Sequence, residues 1–160
     1  MLKIRNPFLK LENYNCFGCS PHNNIGLQLS FWLDGDTVIT QWKPNNSYEG
    51  WQNILHGGIQ ATLMDEIASW VVFSVLKTAG FTVKMNIKLH KNVLISDGTI
   101  TLKARLLKQK LNIATIEVKL FNSNEELCSE GEFDYYVYPR NIAVQRFHMP
   151  ENENDIFENH

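Results

Sequence analysis

The feature that most restricts this chain is one long apolar helix pattern set among stretches that alternate with a period of two. In Ile59 to Leu76, apolar residues recur at positions 59, 63, 67, 70, 71 and 75, which is helical spacing. Leu63-Met64 and Val71-Val72-Phe73 spread the apolar surface over most of the girth, so the helix must be buried nearly all round. Gly80 is its expected stop. Before it, Leu27, Leu29 and Phe31 alternate with polar neighbours as a strand does, Asp34-Gly35-Asp36 marks a turn, and Val38 to Lys43 returns. Pro44 to Leu55 reads as loop. After the helix, Val83, Met85, Ile87 and Leu89 alternate with Lys84, Asn86 and Lys88. Asp97-Gly98 turns the chain into a strand from Thr99 to Leu107, and Lys108 to Asn112 reads as the next turn. Ile113 to Phe121 alternates again, Asn122 to Glu126 turns, and Leu127 to Tyr138 is the last strand.

Two strands, one helix and four strands define an α+β architecture. A single helix cannot cover both faces of a sheet, but an antiparallel sheet curled around it buries it almost completely. This order is that of the hotdog fold. Its open edges and outer face predict self-association. The 160 residues, 44% of them hydrophobic, suit a single domain spanning 1–160. Residues 1–24 form an irregular lead-in with a short helix around Pro7 to Leu11. Residues 139–160 form a peripheral tail, polar and acidic from Pro150 to His160.

A net charge of −2 argues against nucleic acid as a partner. The opening MLKIRNPFLKLENYN lacks the continuous apolar stretch of a signal peptide, and no run of about 18 apolar residues offers a membrane span. Three cysteines, Cys16, Cys19 and Cys128, are an odd number, which favours reduced thiols in the cytoplasm over a disulfide framework.

Chemistry concentrates around the helix start. In His56-Gly57-Gly58 the glycines let the backbone approach a ligand closely. The first N–H groups of a helix lack intrahelical partners and carry partial positive charge, a setting that stabilises a developing oxyanion. Two turns on, Asp65 lies among Ile59, Ala61, Leu63, Met64, Ile67, Ala68 and Trp70, where a carboxylate is costly unless something uses it. Its neighbour Glu66 sits about 100° further round the helix, so one carboxylate can face a site while the other faces solvent or a partner chain.

The segment from Tyr48 to Glu66, with His56-Gly57-Gly58 opening the helix and Asp65 nine positions after His56, resembles the signature of the PaaI-type hotdog thioesterases. Cys16-Phe-Gly-Cys19 through Asn24-Ile-Gly-Leu27 resembles the lead-in of one branch of these proteins, and Phe81 to Ile87 the strand after their helix. The resemblance spans roughly residues 14–138 and implies hydrolysis of an acyl-CoA thioester. Asp65 would act as general base or nucleophile. The Gly57 or Gly58 N–H would polarise the carbonyl, His56 would fix the turn and contact the thioester, and Thr82 would position water, across a dimer interface. Asn53, Glu66, Lys108 and Lys110 are the implied substrate contacts, the lysines for CoA phosphates. The resemblance further implies a homodimer or homotetramer, with no cofactor beyond the CoA of the substrate. One departure is His90-Lys91-Asn92, where many relatives carry Arg-Pro, and it leaves the acyl preference open. Trp51, Trp70 and Phe73 are candidates to shape an acyl pocket.

Cys16-x-x-Cys19-x-x-His22 supplies three donors where tetrahedral zinc takes four, so no metal is expected. No βαβ context surrounds the cysteine pair as it would in a thioredoxin-like redox motif. The alternative to hydrolysis is a hotdog module that holds acyl-CoA without turnover. A dehydratase on the same fold would want a catalytic His paired differently with an acid.

Overall fold

In the computed structural model, which describes residues 1–158, seven antiparallel strands form one sheet in the order β1-β2-β3-β5-β6-β7-β4. The strands are β1 (Leu2–Lys3), β2 (Trp32–Asp34), β3 (Thr37–Trp42), β4 (Gly80–Leu89), β5 (Ile100–Lys110), β6 (Ile113–Phe121) and β7 (Leu127–Val137). Helix α1 (Gly57–Ser74) packs on the inner face, and a short α2 (Arg140–Phe147) follows β7. This is the α+β hotdog architecture. Leu63, Met64, Ile67, Ala68 and Val71 of α1 are fully buried against Leu102, Ala114, Ile116, Val118 and Phe133 of the sheet. The alternation of β5, β6 and β7 supplies that inner face.

Several boundaries differ from the sequence expectation. Leu27, Leu29 and Phe31 are buried as the alternation requires, but they belong to no sheet ladder. Gln28 sits at φ +53°, and the Leu27 and Leu29 N–H groups donate to Phe17 and Gly18 carbonyls of the lead-in at 2.8 and 2.9 Å. The ladder begins only at Trp32. The lead-in is more ordered than expected: β1 pairs with β2, and Pro7–Lys10 is a 3-10 turn capped by Asn6. Helix α1 ends before Gly80, because Lys77 turns the chain at φ +56°. Gly80 instead opens β4, where a Cβ would meet the Tyr136 carbonyl oxygen at 2.6 Å. Lys108 and Lys110 lie within β5, paired with Thr115 and Ile113, and the turn shrinks to Leu111-Asn112.

The expected peripheral tail is packed into the body. Ala143 and Ile156 are fully buried and Met149 nearly so. The Arg5 N–H donates to the Ile156 carbonyl at 2.8 Å, and the Glu158 N–H donates to the Lys3 carbonyl at 3.0 Å. Arg140 donates to the Lys77, Pro150 and Glu151 carbonyls. One apolar side chain, Ile156, thus ties the polar C-terminal segment to the edge that β1 forms. Residues 159 and 160 of the expected tail lie outside the described residues.

Helix α1 also keeps a half-exposed stripe, Gly58, Thr62, Asp65 and Ser69, instead of being buried all round. Beside it runs β4, the last strand of the sheet, with Phe81, Val83, Met85 and Leu89 each about half exposed.

Candidate active site

The loop before α1 is built to aim the helix start. Asn53 adopts φ +61° and clamps the 94–97 turn: its Nδ2 donates to Ser96 Oγ and its Oδ1 accepts from the Ser96 N–H, each at 2.9 Å. Both ends of the amide are occupied, so Asn53, itself expected to contact substrate, holds the loop in shape. The His56 N–H donates to the Tyr48 carbonyl at 3.0 Å. His56 itself is the N-cap of α1, its Nδ1 accepting from the Gly58 N–H at 2.9 Å. That acceptance leaves the ring proton on Nε2. It also distinguishes the two glycines. Gly58 is committed to the cap, whereas the Gly57 N–H has no acceptor among the described residues. Gly57 lies beneath Leu89, whose Cδ1 would stand 3.2 Å from a Cβ there. Deeper in, Gln60 donates to the Leu55 carbonyl and accepts from Ser129 Oγ, which pins the first turn of α1 to β7.

Asp65 faces the sheet edge on the half-exposed stripe. Its Oδ1 accepts from Thr82 Oγ1 at 2.7 Å and from Tyr135 Oη at 2.6 Å. The Tyr135 Oη also lies 2.7 Å from the Asp65 carbonyl oxygen. Thr82 and Tyr135 are paired across β4 and β7, so one cross-strand pair presents two hydroxyls to one carboxylate oxygen. Thr82 therefore reaches Asp65 within its own chain. Burial and the adjacent Asp65 charge push the Tyr135 phenol far above its ordinary value, which keeps it a donor. The two bonds orient the carboxylate and leave Oδ2 without a protein donor among the described residues.

Tyr135 is the site residue that the sequence reading missed. It sits in Asp-Tyr135-Tyr-Val-Tyr, where alternating aromatics read as ordinary strand. The available signal was positional: an aromatic with a polar tip on an inward-facing strand position needs a hydrogen-bond partner.

Two other expected site groups lie apart from this cluster. Glu66 turns to the lead-in: its Oε1 accepts from Trp70 Nε1 at 3.0 Å and lies 3.7 Å from Cys16 Sγ. Lys108 and Lys110 are exposed on β5. Between them Gln109 pairs with Ala114, which pairs with Tyr135. Residues paired across a ladder share a face and successive residues alternate, so both lysines project from the face opposite Asp65. Trp70 and Phe73 line a cavity beside Glu66, while Trp51 is 83% exposed and lines none of it. His22 is exposed and takes no part in the cysteine cluster, where Glu66 stands as the third donor.

Residues 52–129, which contain the helix start, Asp65 and Thr82, match the thioesterase superfamily. With the hotdog architecture, this match makes that part of the chain similar to the thioesterase superfamily. Zebrafish thioesterase superfamily member 2 is similar at 26% identity, with a TM-score of 0.63 over 74% of this chain and 88% of that one. A hypothetical thioesterase protein of Streptococcus pneumoniae, solved with coenzyme A, is 25% identical, with a TM-score of 0.65 over 70% of this chain and 87% of that one. A Haemophilus influenzae thioesterase at 17% identity shares the fold, with a TM-score of 0.63 over 70% of this chain and 79% of that one. No curated protein sequence matches the chain.

Proposed function

We propose that the protein hydrolyses an acyl-CoA thioester to a free acid and CoA, as a PaaI-type member of the thioesterase superfamily. The observation that carries this reading is the Asp65 carboxylate, held by Thr82 and Tyr135 through one oxygen on the same helix as the uncommitted Gly57 N–H. The thioester oxygen would take the Gly57 N–H of a second protomer, because eight residues of helix hold Gly57 and Asp65 of one chain roughly 12 Å apart, and the partial positive charge of that N–H stabilises the oxyanion as it forms. Oδ2 of Asp65 would then accept a proton from the attacking water, or attack the carbonyl itself. In either case the two hydroxyls hold the carboxylate through Oδ1 and leave the reacting oxygen clear. His56 contributes by fixing the turn that aims Gly57. The coenzyme A bound to the Streptococcus pneumoniae relative supports CoA as the thiol portion.

The assembly expected is a dimer formed along β4. A terminal strand leaves a row of backbone groups unpaired, and Met85 and Leu89 are half exposed on the inner face beside the α1 stripe. A second copy laid there would cover the stripe that carries Asp65. Lys108 and Lys110 point away from their own site, so they serve the CoA phosphates only at the site of another protomer. Among the described residues no helix is long and apolar enough to cross a membrane. The three cysteines are free, which suits the reducing compartment expected for a cytoplasmic protein.

The test is a panel of acyl-CoA substrates followed by thiol release. Turnover of at least one acyl-CoA by the wild type is expected. CoA binding without turnover across the panel would favour the non-catalytic module. Lys108→Ala with Lys110→Ala should raise the KM for acyl-CoA and leave hydrolysis of a nucleotide-free thioester unchanged. An unaltered KM at low ionic strength would remove the lysines from the site.

A further inference from the structure

Next to the proposed active site, the lead-in and α1 form the walls of the cavity beside Glu66, about 330 Å³ in volume. It is lined by Phe8, Tyr14, Cys16, Glu66, Phe73 and Met149, among others. Its polar wall is a cluster that thioester hydrolysis does not use. Cys16 Sγ and Cys19 Sγ stand 3.0 Å apart. The Cys19 N–H points at Cys16 Sγ at 3.3 Å, and Tyr14 Oη lies 2.8 Å from Cys19 Sγ. A carboxylate oxygen of Glu66 lies within 4.8 Å of both sulfurs. Gly18 lets this turn rest on α1, since a Cβ there would stand 2.3 Å from Glu66 Cδ. Cys16 is partly exposed and Cys19 is buried.

We propose that Cys16 and Cys19 form a redox-active dithiol that a low-molecular-weight disulfide oxidises to an intramolecular disulfide, with Cys16 as the attacking sulfur. The asymmetry of exposure gives the direction: an external disulfide reaches Cys16, while Cys19 waits behind it as the resolving thiol. The hydrogen bond from the Cys19 thiol outweighs burial and lowers the Cys16 thiol to about 5, so Cys16 is a thiolate at neutral pH, the form that attacks. The same bond and burial push Cys19 upward. Burial, with the Cys16 charge second, lifts Glu66 to about 7, which suits a group that must accept a proton.

In the first step the Cys16 thiolate attacks one sulfur of RSSR. The Cys16–SR bond forms, the RS–SR bond breaks, and RS⁻ leaves to take a proton from water. Cys19 then passes its proton to Glu66, and its sulfur attacks the Cys16 sulfur. The Cys16–Cys19 bond forms and the second RS⁻ departs, taking that proton by way of solvent. The protein loses two electrons and the one proton of Cys19, the other proton comes from water, and RSSR becomes two RSH.

A metal is the competing occupant of the same three donors, and the geometry disfavours it. Two thiolates sharing one tetrahedral zinc, with Zn–S near 2.3 Å, stand roughly 3.8 Å apart. These sulfurs are already closer, and only Cys16, Cys19 and Glu66 converge among the described residues.

The experiment incubates the full-length protein with graded mixtures of oxidised and reduced glutathione. Free thiols are then alkylated and mapped by mass spectrometry. The wild type should lose two hydrogens from the segment holding Cys16 and Cys19, reversibly, while Cys128 stays unmodified. Cys19→Ser should trap glutathione on Cys16. Cys16→Ser should react at Cys19 at least tenfold more slowly, with circular dichroism confirming that both variants fold. Retention of both thiols in excess oxidised glutathione would overturn the proposal, as would equal reactivity of Cys19 in the absence of Cys16. Stoichiometric zinc that shields the pair until chelated would assign the cluster to a metal instead.

Discussion

Asp65→Asn separates the chemistry of the proposed site from its architecture. The substitution is nearly isosteric, and an asparagine Oδ1 can still accept from Thr82 and Tyr135. What changes is the charge on the acceptor. A hydrogen bond to a charged group contributes about 1.5–3 kcal/mol and a neutral one about 0.5–1.5 kcal/mol, so two such bonds lose about 2 kcal/mol. Relief from holding a partly buried charge returns some of that, for a net loss of about 1 kcal/mol. In a protein of this size that lowers Tm by roughly 2–4 °C, so the variant stays folded at assay temperature. The amide Nδ2 that replaces Oδ2 can neither take a proton from water nor attack a carbonyl. Turnover should fall by roughly 100-fold or more, within the range of a lost general base. Thiol release from the best acyl-CoA in the panel measures the rate, and urea titration measures the stability. Unchanged turnover in Asp65→Asn would refute the catalytic assignment. A loss of activity matched by a collapse in stability would refute the claim that Oδ1 alone does the anchoring.

Tyr135→Phe removes the deeper of the two donors and should cost about 1–3 kcal/mol in urea melts, with a lower kcat; a silent change would mean that Tyr135 does not orient Asp65. Ile156→Ala empties a fully buried position and should destabilise the protein by about 2–4 kcal/mol in urea unfolding, whereas a peripheral tail would give almost nothing. Met85→Lys on the exposed inner edge of β4 should shift the protein toward monomer in light scattering, and an unaltered mass would place the interface elsewhere. Glu66 is lifted from 4.5 to about 7 by burial first and by the Cys16 charge second. Its folded form therefore binds more protons, and its contribution to stability is present below about pH 4.5 and lost as pH rises through about 7. In a Cys16→Ser background, which removes both the opposing titration of Cys16 and its share of the shift, the part due to burial should still give a decline in urea melts, and Glu66→Gln should abolish it; a decline that persists would assign the effect to another group.

The fold could be read from the residues alone, because the information that encodes it is periodic. One helix pattern, apolar round most of its circumference, among strands alternating inward and outward, has few solutions other than a sheet wrapped on a helix. The sequence also located His56, Gly57, Gly58 and Asp65, since a glycine pair at a helix start and an acid in an apolar helix are local anomalies. Pairing between distant segments lay beyond it. That Thr82 and Tyr135 stand opposite each other and share one oxygen of Asp65 follows from the β4–β7 register, which no stretch of sequence encodes locally. The commitment of Gly58 to His56 depends on one side-chain rotation. Lys108 and Lys110 read as a turn because polar residues fill an exposed strand end as readily as a loop, and only the ladder with β6 shows the face from which they project. Glu66 went to the cysteines because it lies about 100° from Asp65 around α1, and tertiary packing placed the lead-in against that side.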